Sequence, residues 1–456
     1  MKKPLLPSAK RVRQQSRSVS CLVGLLLSAV GGPGHAMDLI DAYRAALLND
    51  ATYLAARAST ESDSEVLPQA QAQLRPSVSY SYARNQVGST SSSYVSPFNA
   101  SPKLVYFSDN RSLSFRSPVY HKSLIAGYAQ AQSNVQASLF NLKREEQDLS
   151  VRVVSAYFDV LLSQEQLQLI QAQKKSAATQ LEAAKASFSR GFSPRTDVDE
   201  IQARLDGILA DEYAAEQQAD YARQALRSIT NAVPEQLKGL KVSNFYADRS
   251  EFANLADWTA RALQDSPVVI GMLHKRDAAE QEIEKATSGH VPTVDVVAQL
   301  SQSKGENAIS PGNEYNNRSV GVQINVPLYS GGYYLSTTRQ ALASKEKAEQ
   351  QLEATRRSVS LQVQKEYKNV TSGLTRVNAL EQAVRSNEQS VYSNTRSLAA
   401  GIRSRLNVLD AEQKLAQAQR DLADVRFSYL LAKVKLYSLV GAADESVIAQ
   451  LNALFQ

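Results

Sequence analysis

The sequence predicts a mixed α/β membrane protein, mostly α, in which one unit of β-hairpin plus long helices is written twice. Three observations carry this. Gly401-Ile402-Arg403-Ser404-Arg405-Leu406-Asn407-Val408-Leu409-Asp410-Ala411 joins two long helical patterns at a tight turn, and Gly191–Val198 does the same 210 positions earlier. Two pairs of segments alternate apolar and polar residues with period two. Each pair feeds a helical pattern nearly 70 residues long without an internal proline. The offset recurs in Tyr157 with Tyr367 and Leu226 with Leu436, and a repeat of this length is read before any single motif.

Residues 1–36 read as a signal peptide. Lys2, Lys3, Lys10, Arg11, Arg13 and Arg17 precede an apolar run from Val19 to Val30, and Gly34-His35-Ala36 offers small residues for cleavage. About 12 apolar residues are too few to span a bilayer. Cys21, the only cysteine, falls in this leader behind Arg17-Ser18-Val19-Ser20, which is not a lipid-attachment pattern, so no thiol chemistry is expected beyond it. The leader also accounts for the basic balance. Removing its six cations from the 51 Lys and Arg leaves 45, equal to the 45 Asp and Glu. A nucleic-acid partner loses its electrostatic basis.

Residues 37–253 then form the first structural repeat and 254–456 the second. Leu39, Tyr43, Ala46, Leu47 and Leu54 place one helix over residues 38–74. At Pro76 the period changes to two: Val78, Tyr80 and Tyr82 alternate with serines in a strand over about 76–86. After a Ser/Asn/Pro-rich loop, Leu113 and Phe115 mark a second strand over about 110–119. The copy has Val294, Val296, Ala298 and Leu300 (strand about 292–302), then Val320, Val322, Ile324, Val326 and Leu328 (strand about 317–328).

Half-buried hairpins over a soluble core would alternate in the same way. Strands of about ten residues with an export signal, an apolar face, a Ser/Gln/Asn face and flanking tyrosines (Tyr106, Tyr120, Tyr329, Tyr333, Tyr334) fit an outer-membrane barrel better.

The long helices cover about 122–190 and 333–400, each roughly 100 Å at 1.5 Å per residue. The return helices cover about 194–231 and 406–440. Val408, Leu415, Leu422, Tyr429 and Leu436 step by seven, with Ala411, Ala418, Val425, Ala432 and Leu439 three further on. Alanine at so many seam positions predicts a closely packed antiparallel pair. Residues 232–254 break the pattern and are expected to start a mixed collar; a short tail closes the chain.

Four strands cannot close a barrel, and an open sheet leaves unpaired backbone groups in lipid, so the chain is expected to oligomerise. Two copies give eight strands with an interior filled by side chains, while three give twelve and a wet lumen. The polar strand faces and long helices favour a homotrimer.

The doubled hairpin-plus-helix unit, Val326-Pro327-Leu328-Tyr329-Ser330-Gly331-Gly332 and the Gly401–Ala411 string resemble the TolC family of outer-membrane efflux ducts. The resemblance covers nearly all of residues 37–445. It implies a trimeric 12-stranded β-barrel in the outer membrane of a Gram-negative cell, continued into the periplasm by an α-helical barrel. It further implies a periplasmic adaptor and an inner-membrane ABC transporter or proton-driven pump as partners, besides outer-membrane lipid, and no cofactor.

The resemblance also implies a gate at the helix turns. The family's two inner acids match Asn407 and Asp410, so this ring carries one acid instead of two. Its latching arginine matches Arg403, with partners at Thr196 and Asp197, and a latching tyrosine falls at Leu398, which cannot hydrogen-bond. Without the resemblance, Asp197 and Asp410 read as acids near helix starts, where the macrodipole favours them.

An enzyme is not expected. His121, His274 and His290 lack metal-ligand spacing, and no phosphate loop or nucleophile elbow occurs. An exported coiled-coil adhesin or scaffold explains the heptads but not the strands. The turn Gly191-Phe192-Ser193-Pro194-Arg195-Thr196-Asp197-Val198 and the short tail after Gly441 look most like the ducts of type I protein secretion. An exit duct for a proton-driven small-molecule pump is the alternative.

Overall fold

The structure, a computed structural model, describes residues 37–90, 103–232, 237–241, 252, 254–305 and 312–455. The signal-peptide expectation, 1–36, and most of the expected collar segment lie outside them.

The chain opens with three short helices, α1 (Leu39–Asn49), α2 (Ala51–Ser64) and α3 (Val66–Gln73), where the apolar period predicts one. Asp50 makes the first break. Its backbone is extended (ψ 114°), and its carboxylate accepts from the Tyr53 amide and from Arg152 at 2.9 Å. One buried acid thus ends α1, caps α2 and ties both to the long helix beneath.

Four antiparallel strands follow in two hairpins, β1 (Ser77–Thr90) with β2 (Lys103–Tyr120) and β3 (Thr293–Gly305) with β4 (Asn313–Asn325), ordered β1-β2-β3-β4. Register sorts them into two faces. Val78 lies opposite Phe115, Tyr80 opposite Leu113, Leu113 opposite Leu300, and Val296 opposite Val322, giving one continuous apolar face. The other face carries Ser79–Ser114 and Ser81–Ser112 hydroxyl pairs at 2.8 Å, then Gln299 and Ser319. The apolar face is open: Val320 is 83 % exposed and Ile324 64 %. β1 and β4 are both edges of this four-stranded sheet.

The strands run further toward the hairpin ends than the alternation predicts. β2 starts at Lys103 and β4 at Asn313, because the backbone ladder continues through polar pairs such as Arg84–Asp109 and Lys304–Glu314. β4 stops at Asn325, short of Pro327, which has no amide to donate. Gly331 and Gly332, at φ 60° and 84°, then turn the chain into a helix in a conformation that disfavours any Cβ.

The long helices are α4 (Lys122–Ser189, 68 residues) and α8 (Tyr333–Ala399, 67 residues); the returns are α5 (Arg195–Thr230) and α9 (Arg405–Leu439). Between the repeats lie α6 (Leu255–Asp265) and α7 (Pro267–Thr287). The main core sits partway along α4. Leu149, Val153, Tyr157 and Phe158 pack with Phe427, Leu430 and Leu436 of α9, with α1 through Leu39 and Tyr43, and with Trp258 of α6. The C-terminal segment is part of this core and not a loose tail. In α10 (Glu445–Asn452) and the turn after it, Ile448 and Phe455 are fully buried. The Tyr157 hydroxyl donates to the Met37 carbonyl at 3.1 Å and to that of Lys238 at 3.0 Å, tying both ends of the first repeat to α4.

Candidate functional site at the helix turns

Both turns are built alike. Gly191 (φ 77°) donates to the Phe188 carbonyl and Phe192 to that of Ser187; Gly401 (φ 74°) donates to Leu398 and Ile402 to Ser397. Each is a left-handed helix end in which two crossing bonds satisfy the last carbonyls, a conformation open to glycine. The residue after the glycine usually folds back onto its helix. Here Phe192 is 82 % exposed and Ile402 77 %. Two apolar side chains therefore stand out from the tip, one per repeat.

Below the turns, Ala177, Leu181 and Ala184 of α4 meet Val198, Ile201 and Leu205 of α5, and Leu406 and Leu409 of α9. The first repeat's long helix thus supports the return helices of both repeats. Polar contacts repeat the arrangement: Arg405 donates to Gln180 at 3.1 Å, and Ser176 donates to Glu412.

The five residues singled out by resemblance fall at this end but not in one cluster. Thr196 and Asp197 occupy the first turn of α5, and their side chains make no hydrogen bond or ion pair with a described residue. The same is true of Arg403, which is exposed between Gly401 and α9. Asn407 is committed to its own helix start: Ser404 donates to its side-chain oxygen from both amide and hydroxyl (3.1 and 3.0 Å), completing a capping box. Asp410 projects from α9 toward Arg204 of α5, with Nη2 to Oδ1 at 3.7 Å.

Arg204 is the residue that sequence reasoning misses. It lies three residues after Ile201, at the border of the α5 seam. Its Nη2 is sealed from solvent without a hydrogen bond. Arg204 and Asp410 line a cleft of about 540 Å³ between α5 and α9, together with Glu200, Asp211 and Glu412. Four carboxylates and one guanidinium thus line the same cleft, and of the four Asp410 is the one paired with Arg204. The site can hold helices together and favour cations; it offers no nucleophile–base pair.

Comparison with known proteins gives a consistent picture. The family model described as "Outer membrane efflux protein" matches residues 42–232 and 258–442. The chain is 30 % identical over 440 residues to outer membrane protein TolC of Vibrio cholerae, covering 95 % of this chain and 97 % of that protein. It is 30 % identical over 441 residues to the alkaline protease secretion protein AprF of Pseudomonas aeruginosa, covering 96 % and 92 %. To the proteases secretion protein PrtF of Dickeya chrysanthemi it is 28 % identical over 443 residues, covering 96 % of each. Among solved structures, the Campylobacter jejuni CmeC outer membrane channel superposes with a TM-score of 0.77 at 14 % identity, over 99 % of this chain and 98 % of that one. VceC of Vibrio cholerae superposes at 0.73 and 17 %, over 89 % and 96 %; these two show the fold.

Proposed function

The chain belongs to the outer membrane efflux protein family, and on that premise we propose that three copies form the exit duct of a tripartite export machine, passively gated at its periplasmic end. It is an outer-membrane channel protein with a long helical extension into the periplasm. One observation carries the trimer. Each copy contributes four strands with two open edges, an exposed apolar face and a Ser/Asn/Gln face, and twelve such strands make a closed wall around a wet lumen. Sedimentation in detergent tests it: a trimer is expected, and a monodisperse monomer overturns the architecture.

The cargo we infer is protein, exported by a type I system with an ABC transporter and an adaptor. The secretion proteins AprF and PrtF support this at 30 % and 28 % identity over nearly the whole chain. A duct for a proton-driven small-molecule pump is the second reading, supported by equal identity to TolC. Complementation separates them: restored protease export in a strain lacking AprF supports the first, and restored drug resistance alone the second.

For the gate, the reading places Asp410 at the axis, restrained by Arg204 of the same chain. Arg403, whose side chain has no hydrogen-bond or ion-pair partner among the described residues, would reach Thr196 or Asp197 of a neighbouring copy.

A further inference from the structure

Arg111 of β2 and Arg318 of β4 stand exposed on the apolar face of the sheet, midway along their strands, where the apolar run Val294–Val296–Ala298–Leu300 of β3 gives way to Gln302. Arg318 pairs with Leu300, the last apolar residue of β3 on that face, and Arg111 pairs with Gln302, one step further out. The nearby cations on this face are neutralised: Arg84 lies 3.7 Å from Asp109, and Lys304 lies 2.9 Å from Glu314. Arg111 and Arg318 have no such partner among the described residues; Arg111 only covers the Tyr82 ring at 5.6 Å.

Closing the barrel does not supply the missing anions. The strand that would meet β4 is β1 of the next copy, and β1, Ser77 to Thr90, contains no Asp or Glu. Asp295, the remaining strand acid, sits on the opposite face, bound to Arg116 at 2.8 Å. Two guanidinium groups therefore border an apolar band with no acid to pair them among the described strand residues.

Both arginines lie on the hairpin side of the β3 apolar run, away from the helices, which in the proposed barrel is the side of the outer leaflet. Across β3 the two arginines are separated by two strand spacings and one outward step, roughly 12 Å. A planar guanidinium binds a phosphate oxygen pair bidentately, and basic residues at a membrane boundary recruit anionic headgroups. We propose that Arg111 and Arg318 form, on each copy, a docking site for phosphate-bearing lipid headgroups of the outer leaflet, which anchors the barrel at fixed depth. This rests on the reading of the sheet as part of a membrane-spanning trimer.

The test uses the full-length trimer, wild type and Arg111→Ala/Arg318→Ala, reconstituted in phosphatidylcholine vesicles containing either lipid A or its dephosphorylated form. Lipid retained after extraction in mild detergent is quantified by mass spectrometry, with sedimentation and conductance measured on the same samples. Wild type is expected to retain the phosphorylated lipid at least several-fold over the dephosphorylated one. The double alanine variant should lose that preference while remaining a conducting trimer, and Arg111→Lys/Arg318→Lys should keep part of it. Equal retention by wild type and the alanine variant overturns the proposal, as does displacement of the lipid by inorganic phosphate at equal concentration. Loss of trimer and conductance in the wild type would instead refute the duct reading.

Discussion

Arg204 on α5 and Asp410 on α9 face each other at 3.7 Å across the boundary between the two repeats. They are the only ion pair joining the two return helices among the described residues, and they lie within three helical turns of both glycine turns. Asp410 is 61 % exposed and Arg204 34 %. A pair so exposed is worth about 0–1 kcal/mol. In the proposed trimer three copies would act on one entrance, although not additively.

The first prediction follows from that pair. Arg204→Ala should raise the resting conductance of the trimer several-fold, on the order of the factor that ~1 kcal/mol of lost closure gives. Asp410→Asn should do the same, and the double variant should add little to either. A strictly additive double variant in single-channel recordings would show that the two residues act separately. Cation selectivity should respond in opposite directions: Arg204→Ala leaves Asp410 without its counter-charge and strengthens it, whereas Asp410→Asn weakens it.

The glycine turns and heptad seams that frame this site are legible in the sequence, because a left-handed helix end admits few residues besides glycine and a seam must repeat by seven. The pairing of Arg204 with Asp410 is not legible. Seam periodicity orients each helix but does not set the axial register between α5 and α9, and a shift of one residue changes every cross-helix partner. Asp50 escapes notice for a related reason: Tyr43, Ala46, Leu47 and Leu54 keep the helical period across the break, and only the acid's role as a buried cap reveals it. The strand ends extend through Asp109, Lys304 and Glu314 because backbone pairing does not require an apolar face. The resemblance names Arg403, Thr196 and Asp197 as a latch, and their side chains make no hydrogen bond or ion pair with one another among the described residues.

The second prediction concerns the junction of sheet and helices. A Cβ added to Gly289 would lie 2.0 Å from Cδ1 of Tyr334, whose ring also meets His290 edge-on at 5.0 Å. Gly289→Ala must displace that ring from the start of α8 and should cost about 1–3 kcal/mol as overpacking. Thermal unfolding of the detergent-solubilised trimer measures it. Gly289→Ala combined with Tyr334→Ala should be no less stable than Tyr334→Ala alone; an equal loss in both backgrounds would remove the steric explanation.

The third concerns acid. The Ser446 hydroxyl, followed by the Val447 and Ser446 amides (3.2 and 3.0 Å), holds the Asp444 carboxyl below its ordinary range at the start of α10. A depressed folded-state value means the contribution is complete above the unfolded-state value and disappears as pH falls through the folded one. Protection of the Val447 amide from hydrogen exchange, corrected for the intrinsic rate, should therefore hold between pH 7 and about 5 and drop only below about 4. Asp444→Ala should lose about 1 kcal/mol of local stability at neutral pH. Protection that falls already near pH 6 would assign the acid response to another group.

The last prediction concerns the two exposed tips. Phe192 and Ile402 occupy the same place in their turns, directly after Gly191 and Gly401, and neither folds back onto its helix as such residues commonly do. Leaving them in water forgoes roughly 1.5–3 kcal/mol each that burial would provide. A duct that must recruit an adaptor gains from keeping apolar anchors free at its end. Phe192→Ser and Ile402→Ser should therefore weaken adaptor binding, each by tenfold or more, while leaving fold and trimer intact because neither side chain contributes to a core cluster. Six anchors per trimer make the double variant more severe than either single one. The measurement is adaptor affinity by surface plasmon resonance on the detergent-solubilised trimer, with Ala453→Ser as a surface control away from the turns. Unchanged affinity in Phe192→Ser/Ile402→Ser would mean that the adaptor grips the sides of the helical barrel and that the exposed tips serve only to end the helices.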